Sequence, residues 1–505
     1  MKKTFDSFIR IFENGMEEYP DKTALICEGQ KRTYGQIYEQ AGKIASYLRK
    51  NGIRKGDPVA IISKNSLDYI ETELGIIMAG AIVIKLNWRL AAPELHELLV
   101  FNHVKFIFFR SQDAKIRREM CVLTEELCPS KDLDRMEEYL KDEIPLTEFA
   151  ERKDGDVLMH LHTSGTTGVP KTVRYSNKSF LQELESCVES LLFDSDTIFQ
   201  MMSQLFHSAC MGTYSCLACG GTVVFFGKFD PGAYLASVEE NKVTRISAIP
   251  TVLTALLNAP DFYRYDLSSI HMISYSTCPM PPDLIRRAME QFHCGFQQSY
   301  GMTEMGSIVT ILSPEDHFRD QMRYLNSVGK PISGHEVIIM NEQGKRCQPN
   351  EAGEIVVRGP GMMIDYYQME QETKEAIVDG WYHTKDIGYL TEDGYLYING
   401  RKSDMIISGG ENIFPQEIEN VLRSHPDIAE TAVLGIRDDY WGEAVHACVV
   451  LKRENSLNEQ QIQDYCRGKI AGYKIPKKVH IYKDLPRTAT GKVTKAELVK
   501  WIERD

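Results

Sequence analysis

Short runs rich in β-branched and aromatic residues alternate with longer stretches of helical periodicity, and this alternation constrains the fold more than any other feature of the chain. Residues 34–50 (YGQIYEQAGKIASYLRK) place Tyr34, Ile37, Tyr38, Ala41, Ile44, Ala45 and Leu48 at spacings of three and four, which is one face of a helix. The runs PVAIISKN, IVIKLN and KFIFF, separated by such helices, predict a parallel sheet covered by helices, because parallel strands need a long crossover connection. A charged stretch from Ser111 to Asp156 reads as a solvated, helical surface excursion. VLMHLH, TVVFFG and RISAIP then resume the alternation, so two successive α/β units are expected. From about Gly329 the texture changes: EVIIM, GEIVVRG and YLYING are set apart by Gly344, Gly353 and an Asp393-Gly394 turn, the signals of a small antiparallel, barrel-like β unit. After Asn399 comes a polar GRKSD, then an independent pattern with Pro415 near a helix start, Ile418, Val421 and Leu422 facing inward, and TAVLGI and HACVVLK as strands. The expected architecture is α/β with several subdomains. Residues 1–400 form a large N-terminal domain of two α/β sheet units and a β-barrel-like unit, and residues 401–505 a small α+β C-terminal domain.

Composition bounds the function. A chain of 505 residues exceeds one compact core, and 43% hydrophobic with 26% charged residues is the make-up of a folded protein. A net charge of −13 argues against a dedicated nucleic-acid binder, whose affinity would rest on phosphate neutralisation. The N-terminus meets Asp6 and Arg10 before any apolar run can form, so it is not a secretory signal. The longest strongly apolar run, Leu74 to Ile84, falls short of the roughly 18 residues of a membrane span. A cytoplasmic protein without a membrane span is expected; a homodimer stays open. Twelve cysteines are too dilute for a disulfide scaffold, and Cys216 and Cys219 lack a second pair to complete a zinc site, so they read as buried thiols.

The most specific segment is Thr163-Ser164-Gly165-Thr166-Thr167-Gly168-Val169-Pro170-Lys171, directly after VLMHLH. Glycines let backbone N–H groups approach a phosphate, hydroxyls donate further hydrogen bonds and Lys171 supplies charge, a phosphate-cradling composition. It is not a Walker A loop: Pro170 stands where the second glycine should be, and TVRY continues as a strand rather than a helix. Four further motifs follow in order: Gln298-Ser299-Tyr300-Gly301-Met302-Thr303-Glu304, Tyr382-His383-Thr384-Lys385-Asp386, Gly400-Arg401-Lys402-Ser403-Asp404 and Pro486-Arg487-Thr488-Ala489-Thr490-Gly491-Lys492. With these five motifs the chain resembles, over essentially its whole length, the adenylate-forming superfamily of acyl-CoA synthetases, adenylation domains and firefly-type luciferases.

The resemblance implies an ATP-dependent carboxylic acid–CoA ligase with ATP, Mg²⁺ and coenzyme A as cofactors. An acyl-adenylate forms with release of pyrophosphate, and the acyl group then passes to CoA with release of AMP. A carboxylate is already ionised near neutral pH, so the obstacle is bringing an anion against a polyanion, and charge neutralisation should dominate. By resemblance, Glu304 holds Mg²⁺, Thr303 binds the α-phosphate and Tyr300, followed by Gly301, lies against adenine. Asp386 accepts from the ribose hydroxyls with Arg401 nearby, and Lys492 is the catalytic cation. His207, in Gln204-Leu205-Phe206-His207, is expected to place or gate the acyl carboxylate. For the second step, Gly409 and Gly410 leave room for a pantetheine arm, Trp441 and Tyr473 flank it, and Lys477 with Lys478 meets CoA phosphates. Ser403 occupies the hinge about which the C-terminal domain rotates between half-reactions.

Three departures from the family pattern bear on the substrate rather than the reaction. Ser276-Thr277-Cys278-Pro279 replaces the common Gly-Gly-Ala-Pro at the acyl end, Lys385 stands where glycine is common, and Gln204 stands where proline often precedes Leu-Phe-His. Asn87-Trp88-Arg89-Leu90 and the Met302 form of the second motif look most like fatty-acyl and aryl-acyl ligases, so a fatty or aryl carboxylic acid is the expected substrate and fatty acid metabolism the expected setting. The alternative is a stand-alone adenylation enzyme that loads a carrier-protein phosphopantetheine.

Overall fold

Parallel strands buried on both faces account for the centre of the molecule. A computed structural model describes residues 5–110, 117, 120, 127–163, 171–226, 229–277, 280–454, 456–487 and 493–504. One sheet has seven strands in the order Asp365–Tyr366, Lys171–Ser176, Val157–Thr163, Ile82–Leu86, Pro58–Ile62, Phe106–Phe109 and Ser130–Asp132. A second has nine, in the order Lys330–Pro331, Thr310–Leu312, Gly295–Tyr300, Met272–Tyr275, Arg245–Ala248, Ile198–Met201, Thr222–Phe225, Thr23–Cys27 and Gln30–Thr33. The central strands are parallel, and Pro58–Ile62 and Phe106–Phe109 are apolar throughout, as two-faced burial requires, whereas Lys171–Ser176 and Thr310–Leu312 pair antiparallel with both neighbours. The helix Leu67–Met78 is buried at every position except Asp68, so it is covered all round rather than along one stripe.

The two α/β units interleave rather than follow one another, which corrects the expectation of successive units. Thr23–Cys27, the first strand in the chain, pairs in parallel with Thr222–Phe225 in the later sheet (Leu25 opposite Val223), whereas Val157–Thr163 joins the earlier sheet beside Ile82–Leu86. TALIC is buried at four of its five positions, so it needs neighbours on both sides, and hydrophobic pattern alone does not say which sheet supplies them. The stretch from Ser111 to Asp156 is likewise more than an excursion. Ser130–Asp132 adds a parallel edge strand beside Phe106–Phe109, and Leu133, Met136 and Leu140 are buried.

The helix read from periodicity, Tyr34–Lys50, is closed at its start by a capping box in which Thr33 and Gln36 satisfy each other's backbone N–H groups. The Gly-punctuated runs after Gly329 form a five-stranded antiparallel sheet of Glu336–Met340, Gly353–Arg358, Trp381–Leu390, Ile377–Val378 and Leu396–Arg401. A fourth sheet lies within residues 406–482 and has its own core of Ile406, Ile413, Ile418, Leu422, Val433, Val445 and Val449. Cys216 and Cys219 are buried and not joined in a disulfide. Among the described residues no helix is long and apolar enough to cross a membrane.

Candidate functional site

The site is built where the nine-stranded sheet meets the antiparallel one. Strand Gly295–Tyr300 ends in a turn so tight that a Cβ on Gly301 would lie 1.8 Å from the Ser307 carbonyl oxygen, and only glycine fits. The Val309 N–H closes this loop on the Tyr300 carbonyl at 2.8 Å. The Tyr300 hydroxyl donates to Asp386 Oδ2 at 2.7 Å, and Arg401 Nε lies 3.2 Å from the other oxygen, Oδ1. Asp386 and Arg401 face each other in register on adjacent antiparallel strands, so backbone pairing brings the two motifs together. Burial, followed by the Asp386 charge, raises the Tyr300 phenol well above its ordinary pKa, which keeps it a donor. The Tyr300, Asp386 and Arg401 named from the motifs thus form one cluster.

A second carboxylate is held in the same manner. Glu304 sits buried in a 3-10 turn, Thr303–Met305, and its Oε1 accepts from the Tyr366 hydroxyl at 2.8 Å. The Tyr382 hydroxyl is 3.3 Å from that of Tyr366, and the Met363 N–H donates to the Glu304 carbonyl at 2.9 Å. Burial and the Glu304 charge raise the Tyr366 phenol, so it too stays protonated. Lys171 places its ammonium 4.5 Å from the ring centroid of Tyr366, the tyrosine that binds this carboxylate, and stands opposite Thr163 in the strand pair. Magnesium takes few protein carboxylates and keeps waters and substrate phosphates as its other ligands. A buried carboxylate with one oxygen engaged by a neutral phenol fits that donor set. The Tyr175 hydroxyl donates to the Thr303 carbonyl, and the Thr303 and Ser208 hydroxyls lie 3.3 Å apart, which joins the turn to the segment carrying His207.

His207 precedes the short turn Ser208–Cys210, its ring 4.3 Å from that of Phe206. Strand Val157–Thr163 carries a buried histidine, His160, and a half-buried one, His162, that one side chain bridges: Asn102 meets His160 at 2.8 Å and His162 at 3.1 Å. Burial lowers them to about 3 and about 4, so both are neutral at pH 7 and add no charge beside the Ser/Thr/Gly segment. In the fourth sheet Gly409 and Gly410 have φ of +59° and +85°, the Gly409 N–H donates to the Trp441 carbonyl at 2.8 Å, and the Lys477 ammonium is 4.5 Å from the Trp441 ring centroid. Gly409, Trp441 and Lys477 are therefore neighbours. The Tyr473 ring, 40% exposed, lies 5.7 Å from the Lys474 ammonium. Ser164, Gly165, Thr166, Thr167 and Gly168, with Val169 and Pro170, lie outside the described residues, as do Cys278, Pro279 and the segment from Thr488 to Lys492.

Tyr366, Tyr175 and Ser208 were not legible as site residues, and Tyr382 was named only as the first residue of its motif, without a role. Tyrosine and serine outside a motif carry no signal alone, and these contacts around Glu304 and Thr303 exist only once distant strands are in place.

The AMP-binding enzyme family matches residues 12–367 and the AMP-binding enzyme C-terminal domain matches residues 417–492. The chain is 33% identical over 482 residues to a feruloyl-CoA synthase of an Amycolatopsis species, covering 95% of this chain and 96% of that one. It superposes with a TM-score of 0.86, at 32% identity and 97% coverage of both chains, on the o-succinylbenzoate CoA synthetase of Bacillus subtilis in complex with its acyl-adenylate intermediate. The same synthetase with ATP and magnesium ion matches at a TM-score of 0.85 and 32% identity, over 97% of this chain and 98% of that one. With both family matches, these relatives and the clustered motif residues in agreement, the chain belongs to the AMP-binding enzyme family of adenylate-forming acyl- and aryl-CoA ligases.

Proposed function

We propose that this protein is an ATP- and Mg²⁺-dependent acid–CoA ligase acting on an aryl or acyl carboxylic acid through an acyl-adenylate. The observation that carries the reading is the pair of buried carboxylates, Asp386 and Glu304, each with one oxygen engaged by a protonated tyrosine. Each tyrosine fixes the direction of its carboxylate; Asp386, also paired with Arg401 at 3.2 Å, keeps lone pairs to accept from ribose hydroxyls, and Glu304 can serve as a ligand for a hard cation. Bound magnesium would draw charge from the phosphate oxygens.

In the first half-reaction the acid's oxygen bonds to the α-phosphorus while the bond from that phosphorus to the pyrophosphate oxygen breaks. Thr303 donates to the α-phosphate, Lys171 and the Ser164–Gly168 segment cradle the outer phosphates, His207 places the acid, and Lys492 supplies the cation between the two anions. In the second, the CoA sulfur bonds to the acyl carbon and AMP leaves. Gly409 and Gly410 admit the thiol arm, Trp441 and Tyr473 flank it, and Lys477 meets its phosphates. Division of the chain at about 400, with Ser403 as hinge, lets one site serve both steps. Support for the hinge is that Lys402–Asp404 is an exposed turn, tied to the C-terminal domain by Lys495 at 3.5 Å from Asp404.

The test is CoA-dependent release of AMP and pyrophosphate with ATP and Mg²⁺ across straight-chain, aromatic and hydroxylated carboxylic acids. A selective, CoA-requiring signal is expected with aromatic acids, given the relatives. Pyrophosphate exchange with transfer only to a phosphopantetheinylated carrier protein would replace the ligase reading with the carrier-loading one, and silence with every acid would overturn both.

A further inference from the structure

A lysine is buried in the middle of an apolar strand. Lys85 lies in Ile82–Leu86 with Ile82, Val83, Ile84 and Leu86 for neighbours, its side chain 0% exposed. Its ammonium is 2.7 Å from Glu73 Oε1, itself 1% exposed, and donates to the Tyr214 hydroxyl, which in turn donates to Glu73 at 2.6 Å. The remaining donor reaches the Leu205 carbonyl at 3.2 Å, with the Cys210 sulfur 3.7 Å away. A buried ion pair is on average no better for stability than well-packed apolar residues of the same volume, so the fold alone does not call for this one. What it supplies is a donor aimed at the backbone. Leu205 and Cys210 bracket His207, and the same segment is gripped from elsewhere. Asn65 donates to the Ser203 carbonyl at 2.9 Å and accepts from the Leu205 N–H at 2.8 Å, and the Trp88 indole N–H donates to the Gln204 side chain at 3.1 Å. That last contact gives Gln204, the departure from proline, a use.

We infer that Lys85, held by Glu73 and Tyr214, is a positioning residue for the acid in adenylate formation, fixing the Leu205–Cys210 turn and through it His207 and Ser208. Lys85 touches no substrate. The turn meets Thr303 through Ser208, so a loosened turn misplaces the acid relative to the α-phosphate. The inference rests on the ligase reading for its chemistry but not for its structural half.

Lys85→Leu alone would strand the Glu73 carboxylate in the core and so confuse positioning with unfolding. The informative protein is the full chain with Lys85→Leu, Glu73→Leu and Tyr214→Phe together, which removes the network and leaves no charge stranded. Hydrogen–deuterium exchange is expected to quicken in the peptide spanning residues 203–211 while the helix Tyr34–Lys50 keeps its protection. With the acid turned over fastest in the panel, kcat/KM for the acid should fall about 10-fold, within the range that a small misplacement produces. KM for ATP should stay within about twofold, a split that general damage would not give. Native exchange at 203–211, or equal losses toward acid and ATP, would overturn the inference. If the wild-type chain releases no AMP with any acid, the ligase reading falls, and exchange, which needs no substrate, still decides whether the network anchors the turn.

Discussion

Gly301→Ala probes whether the geometry of the Thr303–Glu304 turn carries adenylate formation. A Cβ at residue 301 would meet the Ser307 carbonyl oxygen at 1.8 Å, the Ser307 carbonyl carbon at 2.6 Å and Ile308 Cα at 2.9 Å, where real Cβ contacts essentially never fall below 3.0 Å. All three obstacles are backbone, so the chain itself must move by about 1.2 Å. The far side resists: the Ile308 N–H is bound to Glu183 at 3.2 Å and the Val309 N–H to Tyr300 at 2.8 Å. The displacement is therefore directed into residues 302–306, which carry Thr303 and Glu304. A misplacement of about 1 Å costs on the order of 100-fold in rate, or about 2.7 kcal/mol of barrier. Overpacking removes a further 1–3 kcal/mol or so of stability. The assay is acid-dependent ATP–pyrophosphate exchange, run below the variant's unfolding midpoint, with Gly155→Ala, whose Cβ would meet nothing within 4 Å, as the neutral control. A folded Gly301→Ala enzyme that exchanges within about threefold of wild type would refute the assignment of this turn to the chemistry.

Glu183 supports the same loop from beneath, facing His335 at 3.1 Å with both side chains fully buried. Burial alone would lower the His335 pKa, but the Glu183 carboxylate outweighs it and the net shift is upward. A raised folded pKa means the pair's stabilisation is complete below about pH 6.5 and fades as pH rises through the folded value. The unfolding midpoint of wild type should therefore decline over that interval and that of His335→Gln should not; parallel profiles would contradict it. Arg245, whose pKa burial lowers to about 10, donates to the Leu191 carbonyl, to Ser274 at 2.8 Å and to Gln297. Arg245→Met should cost about 3 kcal/mol in urea denaturation, since three acceptors lose their donor in the core. Lys385 has φ of +61°, and Lys385→Gly should leave activity unchanged. It should also gain roughly 0.5 kcal/mol, the relief of a left-handed side chain less the added entropy of an unfolded glycine, and a loss above 1 kcal/mol would be contrary. Ser403→Pro should impair one half-reaction more than the other, measured as pyrophosphate exchange against thioester formation, and equal losses would count against the hinge.

What was legible in the sequence is what is local. Thr163, Lys171, Tyr300, Gly301, Thr303, Glu304, Asp386 and Arg401 were each named from a contiguous motif, and the helix over residues 34–50 and the antiparallel turns followed from periodicity and Gly spacing. What was illegible is pairing at a distance. The Tyr366 hydroxyl reaches Glu304 across 62 positions of chain, Tyr300 reaches Asp386 across 86, and Ser208 meets Thr303 across 95. The expected succession of the two α/β units failed for the same reason: a short apolar strand specifies that it is buried on both faces, and the neighbour it takes is settled by the rest of the fold.

The departures from the family pattern are where local reading and backbone geometry meet. Thr277 and Lys385 both stand at positions where relatives commonly carry glycine, and both have left-handed backbone, with φ of +71° and +61°. Glycine is thus favoured there by conformation rather than by the room a ligand needs. The left-handed backbone costs each side chain about 1–2 kcal/mol in the folded state alone, and the two locations give that cost different meanings. Lys385 is exposed, its N–H bound to Glu354 at 3.2 Å, and the next N–H, that of Asp386, is bound to Thr384 at 3.0 Å, so the Asp386 backbone keeps its place whatever side chain precedes it. Thr277 follows the strand Met272–Tyr275 and is exposed at the end where the acyl group is expected. The strain at residue 277 thus falls where the sequence leads one to expect the acyl group, and that at residue 385 on a side chain the two hydrogen bonds do not use.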